Sequence, residues 1–192
     1  MNREQELELI SRARKGEVEA FMSLARIYEK PIFRLIYRLT GNREDAADLT
    51  QETLLKAYVG LKKFRGQSSF HTWLHRIAVN ETLNFIKKSG QEKGRLEYLD
   101  ELKADEAGLA RVASPEESSM EEEFRTKLEQ VLNELPITDR LTFSLVVFQG
   151  LSHAEAAEVL GCSEGTVSWR IHEIRQAIRE KLKPYSGELR EV

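Results

Sequence analysis

Two short helical patterns separated by a glycine lie within residues 150–183, and they constrain the fold more than any other stretch of the chain. Ser152 and Glu155 have the spacing of a capping box, which predicts that a helix begins there. Gly161 favours a tight turn after that helix, and Ser163 can cap a second one. Two helices joined in this way form a helix-turn-helix, whose second helix can enter a DNA major groove.

Apolar residues follow the period of an α-helix on both sides of this turn. They are Ala156, Ala157, Val159 and Leu160 in the first helix, and Val167, Ile171, Ile174 and Ile178 in the second. Pro184 is expected to stop the second helix. Its outward positions are Ser163, Glu164, Thr166, Ser168, Trp169, Arg170, His172 and Arg175. These positions could read duplex DNA, whereas in an ordinary helical hairpin they would only face solvent.

The rest of the chain predicts further helices, so we expect an all-α protein. Helical periodicity extends over residues 4–15, 17–40, 44–61, 69–88, 124–135 and 138–149. In the second of these the apolar stripe is Phe21, Leu24, Ile27, Tyr28, Ile32, Leu35 and Ile36. Pro31 predicts a kink or a fresh helix start, and Thr138 is expected to cap the last helix.

The amino-acid composition predicts a folded protein of a reducing compartment. The hydrophobic fraction of 41% and the charged fraction of 32% suit a folded, helix-rich chain. No apolar run reaches the roughly 18 residues of a membrane span, and the N-terminus is too charged for a secretory signal. The single cysteine, Cys162, cannot form an internal disulfide, so we expect a cytoplasmic protein without membrane insertion.

Charge is distributed very unevenly behind the formal net value of −3. Residues 1–95 carry 18 Lys and Arg against 12 Asp and Glu, residues 96–123 carry 2 against 10, and residues 124–192 carry 9 against 10. A near-neutral C-terminal part gains little from counterion release. We therefore expect it to bind duplex DNA weakly unless a larger partner holds it there.

The acidic stretch predicts a flexible linker over residues 93–123 between domains at 1–92 and 124–192. As a random coil, residues 96–123 would span roughly 30 Å on average and about 95 Å when fully extended. Two DNA elements one and a half duplex turns apart are separated by about 50 Å. The linker could bridge them only when it is stretched.

Residues 44–61 carry a carboxylate pair whose role the pattern leaves open. Asp48 and Glu52 are one helical turn apart with Gln51 beside them, opposite an apolar face of Ala47, Leu54, Ala57, Tyr58 and Leu61. The pair could serve acid–base chemistry or a metal, form a solvated face, or dock a basic partner. No His or third carboxylate is near enough in sequence to complete a metal set.

Residues 64–88 combine aromatic, cationic and amide side chains. Residues 64–67 form a loop, and Ser68 or Ser69 can cap the helix that follows. Phe70, Trp73 and Phe85 alternate there with His71, His75, Arg76, Asn80, Lys87 and Lys88, while Leu74, Ile77, Ala78 and Ile86 can face the core. Rings that stack on bases and cations that follow phosphates suit single-stranded nucleic acid. The aromatic residues could equally be core residues.

Three segments of the chain, in this order, resemble those of bacterial RNA polymerase sigma factors. They are DLTQETLLKAY at 48–58, FRGQSSFHTWLHRIAVN at 64–80 and the helix-turn-helix. The resemblance is to the compact extracytoplasmic-function (ECF) group, and it covers most of residues 10–88 and 124–183. It implies a transcription initiation factor with two helical domains. Its partners would be core RNA polymerase, promoter DNA and an anti-sigma factor, without a cofactor, metal or small-molecule substrate.

The resemblance also assigns surfaces. Core polymerase would be bound by Asp48, Gln51, Glu52 and Leu55. The −10 element, where a base is extruded from the non-template strand, would be handled by an exposed surface of Phe64, Arg65, Gly66, Gln67, Ser68, Ser69, Trp73, Arg76 and Asn80. The outward positions of the last helix would read the −35 duplex. Ser168 and Glu173 stand where many family members carry arginine, so the −35 sequence is left open.

The sequence by itself leaves two alternatives to a sigma factor. A stand-alone helix-turn-helix repressor would bind duplex DNA without polymerase, and a helical adaptor would bind proteins without touching DNA. An enzyme is not expected, because the chain has no Walker loop, dinucleotide-binding glycine pattern or G-x-S-x-G motif. His172 and Glu173 begin a zinc-protease motif, but Gln176 occupies the position of its second histidine.

Overall fold

The computed structural model describes residues 2–89 and 119–183, with side chains in the second range from residue 126 onward. Its helices are α1 (Arg3–Arg14), α2 (Val18–Thr40), α3 (Arg43–Gly60), α4 (Phe70–Ser89), α5 (Ser119–Glu134), α6 (Ile137–Phe143), α7 (His153–Leu160) and α8 (Glu164–Lys181). A 3-10 turn, Leu61–Lys63, follows α3, and a π-helical turn, Ser144–Phe148, follows α6. The all-α prediction is confirmed, and these two ranges contain no strand.

The junction between α2 and α3 is formed by Gly41 and Asn42. Gly41 has a φ of 70°, which ends α2 in a left-handed cap. Asn42 then caps α3, because its side-chain oxygen accepts hydrogen bonds from the amides of Glu44 and Asp45 at 2.8 and 3.0 Å. The sharp turn sets α3 against α2.

Helix α2 is the centre of the N-terminal part and packs against α1, α3 and α4. It runs unbroken through Pro31, so of the two expected alternatives, a kink or a fresh helix start, the fresh start is excluded. Leu24 and Ile32 are fully buried as expected, but Ile27 is 42% exposed. At 100° per residue, Ile27 lies about 60° from Leu24 on the side away from Ile32, which takes it off the buried stripe.

The buried side of α3 differs from the predicted one. Its buried residues are Ala46, Leu49, Thr50, Thr53 and Ala57, whereas Ala47 and Leu54 are half-buried and Tyr58 is exposed. Threonine explains the difference, because the Thr50 hydroxyl donates to the carbonyl of Ala46 at 2.6 Å and leaves its methyl group for the core. A hydrophobicity pattern that counts threonine as polar therefore predicts a buried face of α3 that is rotated about the helix axis from the observed one.

The first helix of the C-terminal part begins earlier than expected. Helix α5 starts at Ser119, whereas helical periodicity was expected from residue 124; residues 93–118 of the predicted linker lie outside the described ranges. Helix α6 starts at Ile137, and the carbonyl of Pro136 accepts from the amides of Asp139 and Arg140 at 2.9 and 3.1 Å. The prediction that Thr138 caps this helix was therefore wrong.

The two parts of the chain are in contact. Helix α7 packs on α4, and α6 and the π-helical turn touch α2. The buried apolar residues of both parts form one continuous cluster. Among the described helices, none is long and apolar enough to cross a membrane.

Candidate protein and nucleic-acid surfaces

One exposed side of α3 presents the predicted protein-binding residues Asp48, Gln51, Glu52 and Leu55 together. Leu55 is 65% exposed, and Val59, one turn further on, is 74% exposed. An open depression of about 410 Å³ is lined by Glu52, Leu55, Lys56, Val59 and Gly60. Two uncovered apolar side chains beside carboxylates form a surface suited to a protein partner with apolar and basic groups.

Lys56 links the exposed side of α3 to α4 through ion pairs. Its ammonium group lies 2.9 Å from a carboxylate oxygen of Glu52 and also pairs with Glu81 on α4. The hydrogen bonds that Lys56 donates to Glu81 and, to a smaller extent, to Glu52 raise the pKa of Lys56. Glu52 is thus paired with Lys56 and does not stand isolated beside Asp48.

An aromatic cluster lies beneath the loop between α3 and α4. The ring of Trp73 has its centroid 5.0 Å from that of Phe64 and 5.6 Å from that of Phe70, and Tyr28 lies 5.3 Å from Phe70. Phe64 is only 8% exposed, so the expectation that its side chain lies on an exposed surface was wrong. The ring instead anchors the start of the loop to the first turn of α4.

The loop itself is open to solvent. Arg65, Gly66, Gln67 and Ser69 are exposed and Ser68 is half-buried. Ser69 caps α4, because its hydroxyl accepts from the amide of Thr72 at 3.0 Å. The loop is held at both ends, by Phe64 and by this cap, while its middle stays accessible.

Trp73, Arg76 and Asn80 form a strip along α4. At 100° per residue they fall within about 60° of one another. Asn80 is fully exposed, whereas Trp73 and Arg76 are half-buried. Asn80 lies about 15 Å along the helix axis from Phe70, so it is well separated from the loop and the two would contact different nucleotides.

The helix-turn-helix forms as its sequence predicted. The Ser152 hydroxyl and the Glu155 carboxylate make the reciprocal capping box, and Gly161 ends α7 with a φ of 65°. The Ser163 hydroxyl accepts from the amide of Thr166 at 3.1 Å and begins α8. Its four predicted core residues, Val167, Ile171, Ile174 and Ile178, are all buried. Half-buried Cys162 lies in the turn.

Known proteins match both parts of the chain. Residues 24–92 match Sigma-70 region 2 and residues 125–178 match Sigma-70, region 4. The RNA polymerase sigma-H factor of Pseudomonas aeruginosa is 35% identical over 188 residues, covering 96% of this chain and 97% of that protein. The ECF RNA polymerase sigma-E factor of Escherichia coli K12 is 35% identical over 180 residues, covering 92% and 93%.

The chain belongs to the sigma-70 family, in its ECF group. It is a promoter-directing transcription initiation factor, as its family is. The fold of this sigma factor also resembles solved structures. The structure of CnrH in complex with the cytosolic domain of CnrY has a TM-score of 0.66 at 23% identity and covers 94% of this chain and 98% of that chain. The sigma factor RpoE in complex with the anti-sigma factor NepR from Bartonella quintana has a TM-score of 0.64 at 23% identity and covers 85% and 96%.

Helix α8 of the sigma factor presents a narrower outward face than was predicted. Ser163, Glu164, Ser168, Trp169, His172 and Arg175 are exposed, and Thr166 is half-buried. Arg170 instead turns towards α6, where its side chain lies 3.6 Å from Asp139 and is only 22% exposed. At 100° per residue Arg170 lies about 100° around the helix from Trp169, so these two side chains do not share a face.

The outward face also carries Gln176 and Glu173, which were not among the predicted DNA-reading positions, although Glu173 was noted as standing where many family members carry arginine. Gln176 is exposed and its side-chain amide lies 2.9 Å from the His172 ring, one turn away. Glu173 is also exposed beside them. The helical period could have found both, because they fall within about 40° of Trp169.

Proposed function

We propose that this sigma factor binds polymerase and the two promoter elements through three separate surfaces. The exposed side of α3 with Asp48, Gln51, Glu52 and Leu55 binds core RNA polymerase. The loop of residues 65–69 and the strip of Trp73, Arg76 and Asn80 bind the −10 element, and α8 binds the −35 duplex. The observation that carries this division is the uncovered pair of apolar side chains, Leu55 and Val59, on a different helix from either DNA surface.

Recognition of the −10 element uses capture of an unpaired strand. The exposed loop offers Arg65 to the phosphates, and the amide of Asn80 offers a donor and an acceptor to a base edge. Because Phe64 is buried, we assign it to holding the loop and not to stacking on a base. Binding an extruded base offsets the cost of unstacking it, so the chain promotes melting without any bond chemistry of its own.

The −35 duplex is read by the N-terminal half of α8 in the major groove. Trp169 is 63% exposed there and offers apolar contact to thymine methyl groups. His172 and Gln176 offer hydrogen bonds from the next turn. Arg175 offers a cation to phosphate or guanine, while Arg170 is removed from this role by Asp139.

Regulation by an anti-sigma factor and a cytoplasmic location complete the proposal. One structure of similar fold is a sigma factor bound to an anti-sigma factor, which supports a partner of this kind. The single cysteine fits a reducing compartment. A non-enzymatic role agrees with membership of a family of polymerase subunits.

Run-off transcription tests the function directly. Core polymerase would be incubated with fragments of the source genome, with and without the purified chain. Transcripts that appear only with the chain are expected. Transcripts that do not depend on it would contradict the proposal, and tight duplex binding without polymerase would favour the stand-alone repressor. Polymerase binding without any DNA contact would favour the adaptor.

A further inference from the structure

Helix α8 carries a carboxylate, that of Glu173, near the middle of its outward face. Glu173 is exposed, as are Trp169 and Gln176 beside it. At 100° per residue, Trp169 and Gln176 point about 170° away from the mean direction of the buried core residues of α8, and Glu173 points about 130° away. A helix that lies in the major groove with this face inward therefore brings Glu173 to the edges of base pairs.

The Glu173 carboxylate has no hydrogen bond or ion pair within the part of the chain that the structure describes. One turn before it stands Arg170, which has the spacing of a helical ion-pair partner. The Arg170 side chain instead lies 3.6 Å from Asp139 on α6. One turn after Glu173, the side-chain nitrogen of Gln176 is directed at the ring of His172. Asp139 therefore holds Arg170 away from Glu173, whose oxygens remain free to accept hydrogen bonds.

The groups on the base pairs decide what such an acceptor can bind in the major groove. Guanine and thymine present no hydrogen-bond donor there, so the donors are the amino groups of cytosine and adenine. The adenine amino group lies between two acceptors, its own N7 and O4 of the paired thymine. The cytosine amino group has an acceptor on one side only, O6 of the paired guanine. Because acceptors repel a carboxylate, Glu173 is suited to cytosine.

The spacing between Trp169 and Glu173 adds a second constraint on the DNA sequence. Four residues of α-helix advance by about 6 Å, which corresponds to about two base pairs of B-DNA. Trp169 offers apolar contact to a thymine methyl group, as argued above. The cytosine that Glu173 contacts should therefore lie within about two base pairs of a thymine.

We propose that Glu173 determines −35 specificity by accepting a hydrogen bond from the amino group of one cytosine, and that Asp139 is a positioning residue that keeps Arg170 away from it. The inference rests on the proposed function, since it places α8 in the major groove of the −35 element. A carboxylate is repelled by the surrounding phosphates, so it weakens binding to every sequence and does so least where the cytosine amino group is present. Glu173 therefore acts mainly by rejecting wrong −35 sequences.

The test uses holoenzyme assembled from core polymerase and the full chain. A promoter identified by run-off transcription keeps its −10 element while its −35 region is randomised, and the fragments that the holoenzyme retains are sequenced. Glu173→Ala is compared with the wild type. Glu180→Ala is the matched control, because Glu180 is another exposed carboxylate, two turns further along α8. Wild type and control should enrich cytosine at one −35 position about tenfold over other bases, and Glu173→Ala should lose this preference.

A base analogue tests the hydrogen bond itself. The selected cytosine is replaced by 2-pyrimidinone, which lacks the amino group. Binding of the wild-type holoenzyme should fall about tenfold, and binding of the Glu173→Ala holoenzyme should change by less than about twofold. Asp139→Asn releases Arg170 to pair with Glu173, so this variant should also lose cytosine preference. An unchanged preference in Asp139→Asn would overturn the positioning role of Asp139.

Three results would overturn the assignment of Glu173: a cytosine preference that persists in Glu173→Ala, an equal loss of preference in Glu180→Ala, or wild-type binding that does not depend on the cytosine amino group. An enriched −35 sequence that is the same for wild type and Glu173→Ala would leave the proposed function intact. If wild-type holoenzyme enriches no −35 sequence at all, the proposed role of α8 is contradicted, and the inference fails with it.

Discussion

The end of α3 approaches the indole of Trp73 closely at Gly60. A Cβ atom placed on Gly60 would lie 3.3 Å from Cζ2 of Trp73. The ring is held on its other sides by Phe64 and Phe70. A residue without a side chain at position 60 therefore lets α3 end against the aromatic cluster that supports the loop of residues 65–69.

Gly60→Val should destabilise the fold by about 1–3 kcal/mol, because the branched side chain has to displace the Trp73 ring. Urea unfolding followed by circular dichroism would measure the change. Gly165→Val is the control, since a Cβ there meets only the Ser163 hydroxyl at 3.8 Å. Equal losses in both variants would show that helix propensity, and not contact with Trp73, decides the result.

Leu55→Arg should weaken binding to core polymerase at least tenfold, because it places a charge in the exposed apolar depression of α3. Leu55 is already 65% exposed, so the free energy of unfolding should change by less than about 0.5 kcal/mol. Leu7→Arg, at a leucine of α1 that is 58% exposed, is the matched control. Native gel shift or biolayer interferometry with core enzyme gives the affinities. A similar loss of affinity in Leu55→Arg and Leu7→Arg would count against the α3 surface as the polymerase-binding site.

Asn80→Ala should slow formation of the melted promoter complex by about tenfold, corresponding to the loss of roughly 1.4 kcal/mol of base-edge hydrogen bonding. Permanganate footprinting of unpaired thymines on a mapped promoter measures the melting. Asn84→Ala removes the same group one turn further along α4, at another exposed position. If Asn84→Ala is as defective as Asn80→Ala, the base contact is misassigned.

Arg175→Ala should weaken binding to the −35 region more than Arg179→Ala does. Both arginines are exposed on α8, but Arg175 lies one turn nearer the N-terminal half that enters the groove. Loss of a single phosphate contact should also reduce the salt dependence of binding, by about one unit in the logarithmic slope. An unchanged footprint over the −35 element with Arg175→Ala would contradict the assignment.

Stability should fall on acidification because of His75. Burial is the main cause that lowers its folded pKa to about 4, with the nearby His71 ring adding to the effect, whereas the ordinary value is 6.5. The unfolded chain therefore binds the proton more readily. The stability is complete above pH 6.5, falls between pH 6.5 and 4, and is about 2 kcal/mol lower at pH 5.

Thermal unfolding of the wild type at pH 7.5 and pH 5.0 would show this loss. His75→Gln keeps a polar side chain but removes the titration, so its midpoint should shift less between the two pH values. The contacts of the His75 ring with the His71 carbonyl and the Gln149 side chain act in the opposite direction and raise its pKa, but burial outweighs them. Equal shifts in both proteins would place the pH dependence at other groups.

Local signals in the sequence predicted the helix-turn-helix accurately. Ser152, Glu155, Gly161 and Ser163 act through hydrogen bonds and backbone angles within a few residues of themselves, so their effect does not depend on distant contacts. The cap of α4 by Ser69 follows the same logic. These positions are also the ones that orient α7 and α8.

Features that depend on tertiary packing were predicted less well. Thr50 and Thr53 are buried in α3 although their residue type is polar, and Phe64 is buried although a loop residue of this type was expected at the surface. Arg170 pairs with Asp139, which is 31 positions away and on another helix. The contact between His75 and Gln149 joins residues 74 positions apart, and nothing in either local pattern marks it.

The sigma factor has two tryptophans, and they lie on the two surfaces proposed to bind the −10 and −35 elements. Trp73 is half-buried in the aromatic cluster beside the −10 strip, whereas Trp169 is 63% exposed on α8. Each indole therefore emits from a distinct environment, and a Trp→Phe change at one position isolates the other. If the two proposed surfaces bind DNA, intrinsic fluorescence should follow melting of the −10 element and docking on the −35 element separately, without an attached dye.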